Sequence, residues 1–266
     1  MTTTNKTLAG PIGNCCIQGF KHEGTPVGQK IHIGGMDTYI SYPPNWSSDG
    51  PKKIIFAFPD VFGTFYVNND LVLDHFAFLG FLVIAPDYFQ GDSVTKYVVS
   101  EVGTDVVTKP GFDLNTWVAP HIKFAKQAVP IWIKAVRAEF DAPGTQWATI
   151  GYCFGAPFVL DLLAEDDAVV AGAFAHPAFL DEDHFRNIKK PLYMAVPDVD
   201  ELYPAESRHI TEEILTKKGH KYVSQIFGAV RHGFSTKANL AVPYERWVKE
   251  ECARGFEGWL NQFFAT

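Results

Sequence analysis

Short apolar segments that alternate with longer segments of helical spacing are the feature that most restricts the fold of this chain. The apolar segments are rich in β-branched and aromatic residues and predict strands over residues 52–58, 81–85, 147–150, 169–175, 192–196 and 222–227. Helices are predicted over residues 69–79, 118–140, 154–164, 205–217 and 244–264. We expect Asn69 to cap the first helix, and we expect the second to be entered at Pro120 and kinked at Pro130. Continuously apolar strands are typical of a mainly parallel sheet with helices on both faces.

The N-terminal part of the chain has a different pattern. Residues 31–33 and 38–41 flank Gly34 and Gly35, which predicts an antiparallel hairpin that precedes the parallel strands. No internal repeat or Ser/Gly-rich linker divides the sequence, and no second core pattern is found. A length of 266 residues with 47% apolar residues suits one large α/β domain. We therefore predict a single domain over residues 1–266.

One connection between predicted elements is long and has little clear periodicity. It covers residues 86–117 and contains several aromatic side chains, among them Tyr88 and Trp117. A long irregular connection inside a compact domain often forms a lid over a functional site, and a lid is one interpretation of this segment. The other interpretation is a surface excursion that is packed by its own aromatic residues.

The charge of the chain and its N-terminal residues argue against several classes of partner. The formal net charge is −7 at pH 7, and Lys and Arg form no basic stripe, so we expect no binding to nucleic acid or anionic lipid. The N-terminal residues lack the apolar region of a signal peptide, and the longest mostly apolar stretch, residues 76–86, is too short to span a bilayer. The sequence predicts a soluble, cytoplasmic protein without a membrane partner.

The cysteines of the chain are Cys15, Cys16, Cys153 and Cys252, and they do not resemble a disulfide framework. Adjacent Cys15 and Cys16 would pair with each other only under strain. Free thiols in a reducing compartment fit better. No Cys/His spacing indicates a zinc site, and no nucleotide or flavin motif is present. We therefore expect neither a metal nor a cofactor.

The segment Gly151-Tyr152-Cys153-Phe154-Gly155 lies between a predicted strand and a predicted helix. It matches the nucleophile elbow G-x-S-x-G, with cysteine in the serine position. Glycines on both sides of the nucleophile avoid Cβ clashes in this tight turn, whereas a cysteine that only fills the core does not need them. The backbone N–H of Phe154, at the start of the helix, would then point to the place where an oxyanion forms.

A thiol at this position is mostly protonated at neutral pH and needs a base, which should be a histidine preceded in the chain by an acid. His232 follows the last predicted strand in Arg231-His232-Gly233-Phe234. Asp198 and Asp200 both follow the preceding strand. Together with the antiparallel start and the parallel body, this order of nucleophile, acid and base describes an α/β-hydrolase fold. His176 follows a strand at the same sheet edge and either lines the pocket or has a structural role.

The chain resembles the dienelactone hydrolase family over nearly its whole length, from Cys15 to Phe264, and it is most similar to the fungal members. The motifs that carry the resemblance are Cys15-Cys16, His22-Glu23-Gly24-Thr25-Pro26, the elbow at Cys153, His176-Pro177 and His232-Gly233-Phe234. The resemblance implies a Cys-His-Asp triad of Cys153, His232 and one aspartate. Asp200, which is followed by Pro204 and a helix, matches the family pattern better than Asp198.

The resemblance also implies two residues after the first parallel strand. Asp60 stands where bacterial members have a longer glutamate that holds the resting cysteine, and Val61 would supply a second oxyanion N–H. Bacterial members bind the substrate carboxylate with two arginines. The matching places, residues 86–91 and Thr236, hold no arginine, and Lys237 is the nearest cation to the second place.

These residues predict a cysteine-dependent hydrolase of a small lactone or an activated enol or aryl ester that acts through a thioester acyl-enzyme. Aromatic and polar side chains are expected at the pocket, namely Phe62, Tyr88, Trp117, Tyr152 and His176. Two alternatives remain open at this point. One is a noncatalytic protein that binds a small metabolite, and the other is a tailoring enzyme of secondary metabolism that cyclises its substrate or cleaves a C–C bond.

Overall fold

The computed structural model describes residues 5–49, 52–103 and 105–264. The strands of these residues are β1 (Thr7–Ala9), β2 (Gly19–Phe20), β3 (Gln29–Ile33), β4 (Met36–Ser41), β5 (Lys53–Phe58), β6 (Leu82–Pro86), β7 (Val98–Gly103), β8 (Asp105–Thr108), β9 (Gln146–Tyr152), β10 (Val169–Ala175), β11 (Leu180–Asp181), β12 (Leu192–Pro197) and β13 (Tyr222–Phe227). The α-helices are α1 (Val67–Phe78), α2 (Leu114–Phe140), α3 (Ala156–Glu165), α4 (Glu182–Asn187), α5 (Ala205–Lys217), α6 (Phe234–Lys237) and α7 (Pro243–Phe264). Short 3₁₀ turns cover Asn14–Ile17, Val94–Lys96 and Cys153–Gly155.

A central sheet of eight strands organises the described residues, in the order β13-β12-β10-β9-β5-β6-β4-β3. All neighbouring strands from β13 to β6 are parallel, whereas β4 is antiparallel to both β6 and β3. Gly34 and Gly35, both with positive φ (59° and 80°), form the turn between β3 and β4. The predicted α/β-hydrolase architecture with an N-terminal antiparallel hairpin is confirmed.

Two apolar cores cover the two faces of this sheet, which explains why its inner strands are apolar at most positions. On one face, Phe56 of β5 stacks on Trp147 of β9 with ring centroids 4.7 Å apart, and Phe56 also meets Trp132 of α2 edge-on at 5.6 Å. On the other face, Phe76 of α1 and Phe256 of α7 belong to the second core. Burying a large apolar side chain of this kind stabilises the fold by about 1.5–3 kcal/mol. Among the described residues, no helix is both long and apolar enough to cross a membrane.

Several predicted element boundaries are wrong at helix starts. Helix α2 begins at Leu114 and not at residue 118, because the Asp113 carboxylate accepts a hydrogen bond from the Thr116 N–H (2.8 Å) and caps the first turn. Pro120 therefore lies inside the helix, as Pro130 does. Helix α1 begins at Val67, so Asn69 is not its cap. The segment after Cys153 first forms a 3₁₀ turn, and α3 begins only at Ala156.

The connection 86–117 has more regular structure than its sequence indicates. It contains β7 and β8, which form a small antiparallel sheet with the distant strand β2. Its aromatic residues pack on one another, with Tyr97 and Phe112 stacked at 4.5 Å and Phe89 and Trp117 stacked at 5.3 Å. A lid role for this segment, and the single-domain organisation, stay predictions.

The first described residues form an N-terminal strap, residues 7–17, which the sequence analysis did not predict. Strand β1 pairs with β11, the Gly10 N–H donates to the Leu202 carbonyl (2.8 Å), and the Phe179 N–H donates to the Gly10 carbonyl (2.9 Å). Leu8 and Ile12 are buried in the first core. The strap ends in the 3₁₀ turn that buries Cys15 and Cys16.

Candidate active site

Cys153 lies in the left-handed region of backbone conformation, with φ of 49°, directly after the carboxyl end of β9. A non-glycine residue in this region is strained and is held there by its surroundings. The flanking glycines are required sterically: a Cβ at Gly155 would lie 2.0 Å from the Phe58 carbonyl oxygen, and a Cβ at Gly151 would lie 2.7 Å from Val159 Cγ2. The segment therefore has the backbone geometry of a nucleophile elbow.

His232 and Asp200 form a buried pair at the same sheet edge, with His232 Nδ1 2.9 Å from Asp200 Oδ2. Gly233, at φ of 85°, turns the chain directly after the histidine. The second carboxylate oxygen of Asp200 accepts a hydrogen bond from the Leu202 N–H (2.9 Å), which orients the acid. Asp198 is exposed and accepts instead from the Val199 N–H. Of the two candidate acids, the structure brings Asp200 and not Asp198 to the imidazole.

A fourth side chain, Cys16 of the N-terminal strap, completes this group. Its Sγ lies 3.5 Å from Cys153 Sγ and 3.6 Å from His232 Nε2. Cys16, Cys153, Asp200 and His232 are called the site cluster below. The sequence analysis missed Cys16, because it gave the Cys-Cys pair only as a mark of resemblance.

The electrostatics of the site cluster favour neutral thiols and a basic imidazole. Burial raises the pKa of the Cys153 thiol, and burial also raises the pKa of Cys16 to about 11. Burial opposes charge on the His232 imidazole, but Cys16 and Asp200 outweigh this effect and raise its pKa well above the usual range. Burial likewise opposes charge on Asp200, yet the facing imidazole holds the pKa of the carboxyl below its ordinary value. The thiols therefore need a base to remove their protons, and the contact with Asp200 makes the His232 imidazole a stronger base.

Asp60 and Val61 lie where the elbow, α1 and α6 meet, and both are buried. The Asp60 carboxylate accepts hydrogen bonds from the Phe62 N–H (3.0 Å), from Asn69 Nδ2 (2.8 Å) and from Thr236 Oγ1 (2.9 Å). Burial raises the pKa of this carboxyl despite these donors. The hydrogen bond that the Cys153 thiol donates is accepted by Cys16 Sγ at 3.5 Å. A resting-state role for Asp60 and an oxyanion role for the N–H groups of Val61 and Phe154 stay predictions.

The aromatic residues predicted at the pocket lie in different places. Tyr88 donates its hydroxyl to the Pro59 carbonyl and packs on Phe154, with ring centroids 5.1 Å apart. Trp117 forms a second layer behind Phe89, which itself contacts Phe154 at 5.0 Å. Tyr88 therefore lies directly against the residue that follows the nucleophile, whereas Trp117 is one residue further away.

Phe62 and Tyr152 lie on opposite sides of the sheet. Phe62 stacks on Tyr66 at 4.7 Å and carries the ammonium of Lys237 3.7 Å from its ring centroid. Tyr152 belongs to the second core and packs against Phe256 of α7 at 6.0 Å. Tyr152 meets the His176 ring, with centroids 6.1 Å apart, but it belongs to the second core, whereas Phe62, Tyr88 and Trp117 belong to the first.

His176 is fully buried behind the His232 imidazole and does not face an open pocket. Its Nε2 lies 2.7 Å from Ser235 Oγ, and its ring meets the His232 ring edge-on with centroids 4.9 Å apart. Burial lowers the pKa of His176 well below its usual range, so this imidazole is neutral. Its position suits support of the His232 ring.

A cavity of about 890 Å³ lies beside the elbow. Its walls come from α2, α3 and the N-terminal strap and include Phe154, Phe158 and Phe179. The described residues that line it include no member of the site cluster. The Phe154 side chain is thus the part of the elbow that the cavity reaches.

Residues 36–264 match the family model described as the dienelactone hydrolase family. The chain belongs to this family. It is 38% identical over 259 residues to dienlactone hydrolase 1 of Gibberella moniliformis, with 97% of this chain and 96% of that protein covered. It is 34% identical to dienlactone hydrolase 2 of the same fungus, with 97% of each chain covered. The predicted family and its fungal likeness are confirmed.

The fold is shared with a solved structure of low sequence identity. A dienelactone hydrolase-like promiscuous phosphotriesterase from metagenomic libraries superposes with a TM-score of 0.63 at 18% identity. The match covers 90% of this chain and 98% of that one. This likeness shows that the two chains share the same fold.

Proposed function

We propose that this protein is a cysteine-dependent hydrolase that cleaves a small lactone or an activated enol or aryl ester through a thioester intermediate. The observation that carries the proposal is the convergence of Cys153, strained at φ of 49°, with an imidazole that Asp200 pairs at 2.9 Å. The family supports the same class of reaction, since its relatives bear the name dienlactone hydrolase. A small-molecule substrate follows from this chemistry.

Cys153 is the better nucleophile of the two thiols at the imidazole. It stands at the carboxyl end of a central strand and at the beginning of the turn into α3, where backbone N–H groups point outward. Cys16 stands in the 3₁₀ turn of the strap, which is not followed by an α-helix. Only Cys153 therefore has oxyanion donors within its own turn.

The first half of the reaction forms the thioester. The Cys153 proton passes to the Cys16 sulfur as the Cys16 proton passes to His232 Nε2, along contacts of 3.5 and 3.6 Å. The Cys153 sulfur then bonds to the ester carbonyl carbon, and the N–H groups of Phe154 and Val61 stabilise the oxyanion. The C–O bond to the leaving group breaks, and the imidazolium, stabilised by Asp200, returns the proton to the leaving oxygen.

The second half releases the acid. His232 takes a proton from water, the hydroxide attacks the thioester carbonyl, and the Cys153 sulfur leaves and recovers its proton through Cys16. A thiolate is itself a good leaving group. The tetrahedral intermediate of the first half therefore collapses back to substrate unless the alcohol departs readily. Esters with stable leaving groups, such as enol lactones and aryl esters, suit this site better than alkyl esters.

The cellular setting follows from the thiols. The free cysteines Cys15, Cys16, Cys153 and Cys252 are all buried in the structure, and the active form requires at least Cys153 to stay reduced. We propose the cytoplasm, where thiols remain reduced.

The test is turnover of p-nitrophenyl acetate by wild type and by Cys153→Ala. We expect the variant to lose turnover while its circular dichroism and melting temperature stay near those of wild type. Cys252→Ala, which removes a buried thiol on the opposite face of the sheet, is the matched control and should keep full activity. Mass spectrometry should find one acetyl group on Cys153 in quenched wild-type samples. Wild-type turnover by Cys153→Ala, or an acetyl group on Cys16 alone, would contradict the proposal.

A further inference from the structure

The site cluster also has the donor geometry of a zinc site. The ligand atoms Cys16 Sγ, Cys153 Sγ and His232 Nε2 all lie within 4.8 Å of one another. Tetrahedral Zn²⁺, with Zn–S of about 2.3 Å and Zn–N of about 2.0–2.1 Å, separates two sulfurs by roughly 3.8 Å and a sulfur from a nitrogen by roughly 3.6 Å. The observed separations are 3.5 Å for the two sulfurs and 3.6 Å for Cys16 Sγ and His232 Nε2. Two of the three pairs therefore already match a bound ion.

The third pair and the outer partners are also suitable. Cys153 Sγ and His232 Nε2 lie within 4.8 Å of each other, so a shift of at most about 1.2 Å closes the triangle. The hydrogen bond from His232 Nδ1 to Asp200 directs Nε2 at the thiols, which is the carboxylate–histidine arrangement that orients ligands in zinc sites. Two thiolates and a neutral imidazole balance the double charge of the ion, which a buried site requires.

The donor set also selects the kind of ion. Mg²⁺ and Ca²⁺ take oxygen ligands, whereas thiolate and imidazole donors suit Zn²⁺ and related thiophilic ions. No short Cys/His motif could reveal this set, because its members come from the strap, from the turn after β9 and from the segment after β13.

We propose that Cys16, Cys153 and His232 bind one Zn²⁺ or similar thiophilic divalent cation, which inhibits the enzyme reversibly. Binding forms two M–S bonds and one M–N bond, releases the two thiol protons to solvent, and leaves the fourth position to water. No electron is transferred. The lone pairs of the nucleophile and of the base are then both occupied by the ion. The metal site rests on the geometry alone, whereas the inhibition rests on the proposed function.

Titration of the full-length protein with Co²⁺ tests the site without any substrate. The protein is first reduced and freed of metal with EDTA, and the chelator is removed. We expect a thiolate-to-Co²⁺ charge-transfer band and the visible bands of tetrahedral Co²⁺, saturating at one ion per chain and displaced by Zn²⁺. Cys16→Ser should weaken binding by more than the roughly 10- to 100-fold that loss of an outer-shell partner costs. Cys15→Ser and Cys252→Ser, which alter buried thiols outside the donor set, should bind as wild type does.

Two results would overturn the metal site: no charge-transfer band in wild type, or equal Co²⁺ binding by wild type and Cys16→Ser. The esterase assay separates this failure from failure of the proposed function. Turnover that Zn²⁺ abolishes and EDTA restores supports both proposals. An active enzyme without the Co²⁺ bands contradicts the metal site alone, and Co²⁺ bands in a protein without turnover contradict the proposed function alone.

Discussion

The site cluster combines residues from two regions of the molecule, the carboxyl edge of the parallel sheet and the N-terminal strap. Cys153, Asp200 and His232 follow β9, β12 and β13, whose carboxyl ends meet at one edge of the parallel sheet. Cys16 arrives on the N-terminal strap, which the short β1–β11 pairing and the hydrogen bonds of Gly10 hold across that edge. The first three positions follow from topology, because parallel strands place their following turns together. The fourth depends on a docked segment that the sheet does not require.

The two regions therefore differ in what they contribute to the site cluster. The sheet edge presents Cys153, Asp200 and His232, the residues that we propose as nucleophile, acid and base. The strap places a second thiol, Cys16 Sγ, 3.5 Å from Cys153 Sγ, on the route that we propose for the Cys153 proton. Substitutions in the two regions should accordingly differ in size and in kind.

The largest effect is expected at the sheet edge. Asp200→Asn removes the charge that stabilises the imidazolium and orients His232, and in serine triads this change lowers kcat by about 10⁴-fold. Asp198→Asn is the matched control, since the exposed Asp198 accepts only a local hydrogen bond from the Val199 N–H and should stay within a few-fold of wild type. Steady-state kinetics with p-nitrophenyl acetate provides the measurement. The reverse ranking would move the acid two residues upstream.

The second-largest effect is expected at the strap, and it tests whether Cys16 takes part in proton transfer. Cys16→Ala removes the thiol between Cys153 and His232, and we expect kcat/KM to fall by about 10²-fold, the lower end of general acid–base contributions. Cys16→Ser retains a hydroxyl that can accept and donate, so its loss should be smaller. Cys15→Ala changes the neighbouring buried thiol and should leave the rate near wild type. Equal activity of Cys16→Ala and wild type would show that His232 reaches Cys153 directly.

The sequence predicts the sheet better than the segments that dock on it. The predicted bounds of β10, α5 and β13 agree with the structure, because each is an uninterrupted pattern bounded by turn residues. Strands β7 and β8 were missed because their sheet is completed by β2, which lies some eighty residues earlier in the chain. The start of α2 was misplaced because the side-chain cap of Asp113 outweighed the signal from Pro120.

In the site cluster, too, the sequence predicts only the residues that local sequence signals mark. The elbow glycines and the histidine–glycine turn are local signals, and they led to Cys153 and His232. The choice between Asp198 and Asp200 came from resemblance, and the hydrogen bond to His232 now distinguishes the two geometrically. Nothing near Cys16 indicates a partner 137 residues away, since that contact exists only after the strap has docked.

The third prediction loosens the strap without touching the site cluster. Leu8 is buried in β1, and Leu8→Ala should destabilise this attachment by about 2 kcal/mol or more. If alkylation of Cys153 requires local opening of the strap, its rate should rise by roughly 30-fold. Leu260→Ala, which changes a buried residue of α7 in the second core, should cost similar global stability without this acceleration. Peptide mapping after iodoacetamide treatment measures the rate, and equal acceleration in both variants would remove the strap as the covering element.

The smallest effect concerns the charge of the substrate. A buried carboxylate needs a cationic partner, and bidentate arginine serves best, but residues 86–91 and Thr236 hold no arginine. Lys237 already donates to the Tyr66 hydroxyl at 3.1 Å and lies over the Phe62 ring, so its charge is engaged within the protein. We predict that a neutral aryl ester or uncharged enol lactone has a kcat/KM about tenfold above that of carboxylated dienelactone, or ~1.4 kcal/mol. Side-by-side kinetics at fixed pH and salt should show this ratio in wild type and, unchanged, in a folded Lys237→Met variant. The prediction would be contradicted if wild type were saturated by dienelactone at low concentration and did not hydrolyse neutral esters. If Lys237→Met then no longer turned over dienelactone, Lys237 would be the residue that binds the substrate carboxylate.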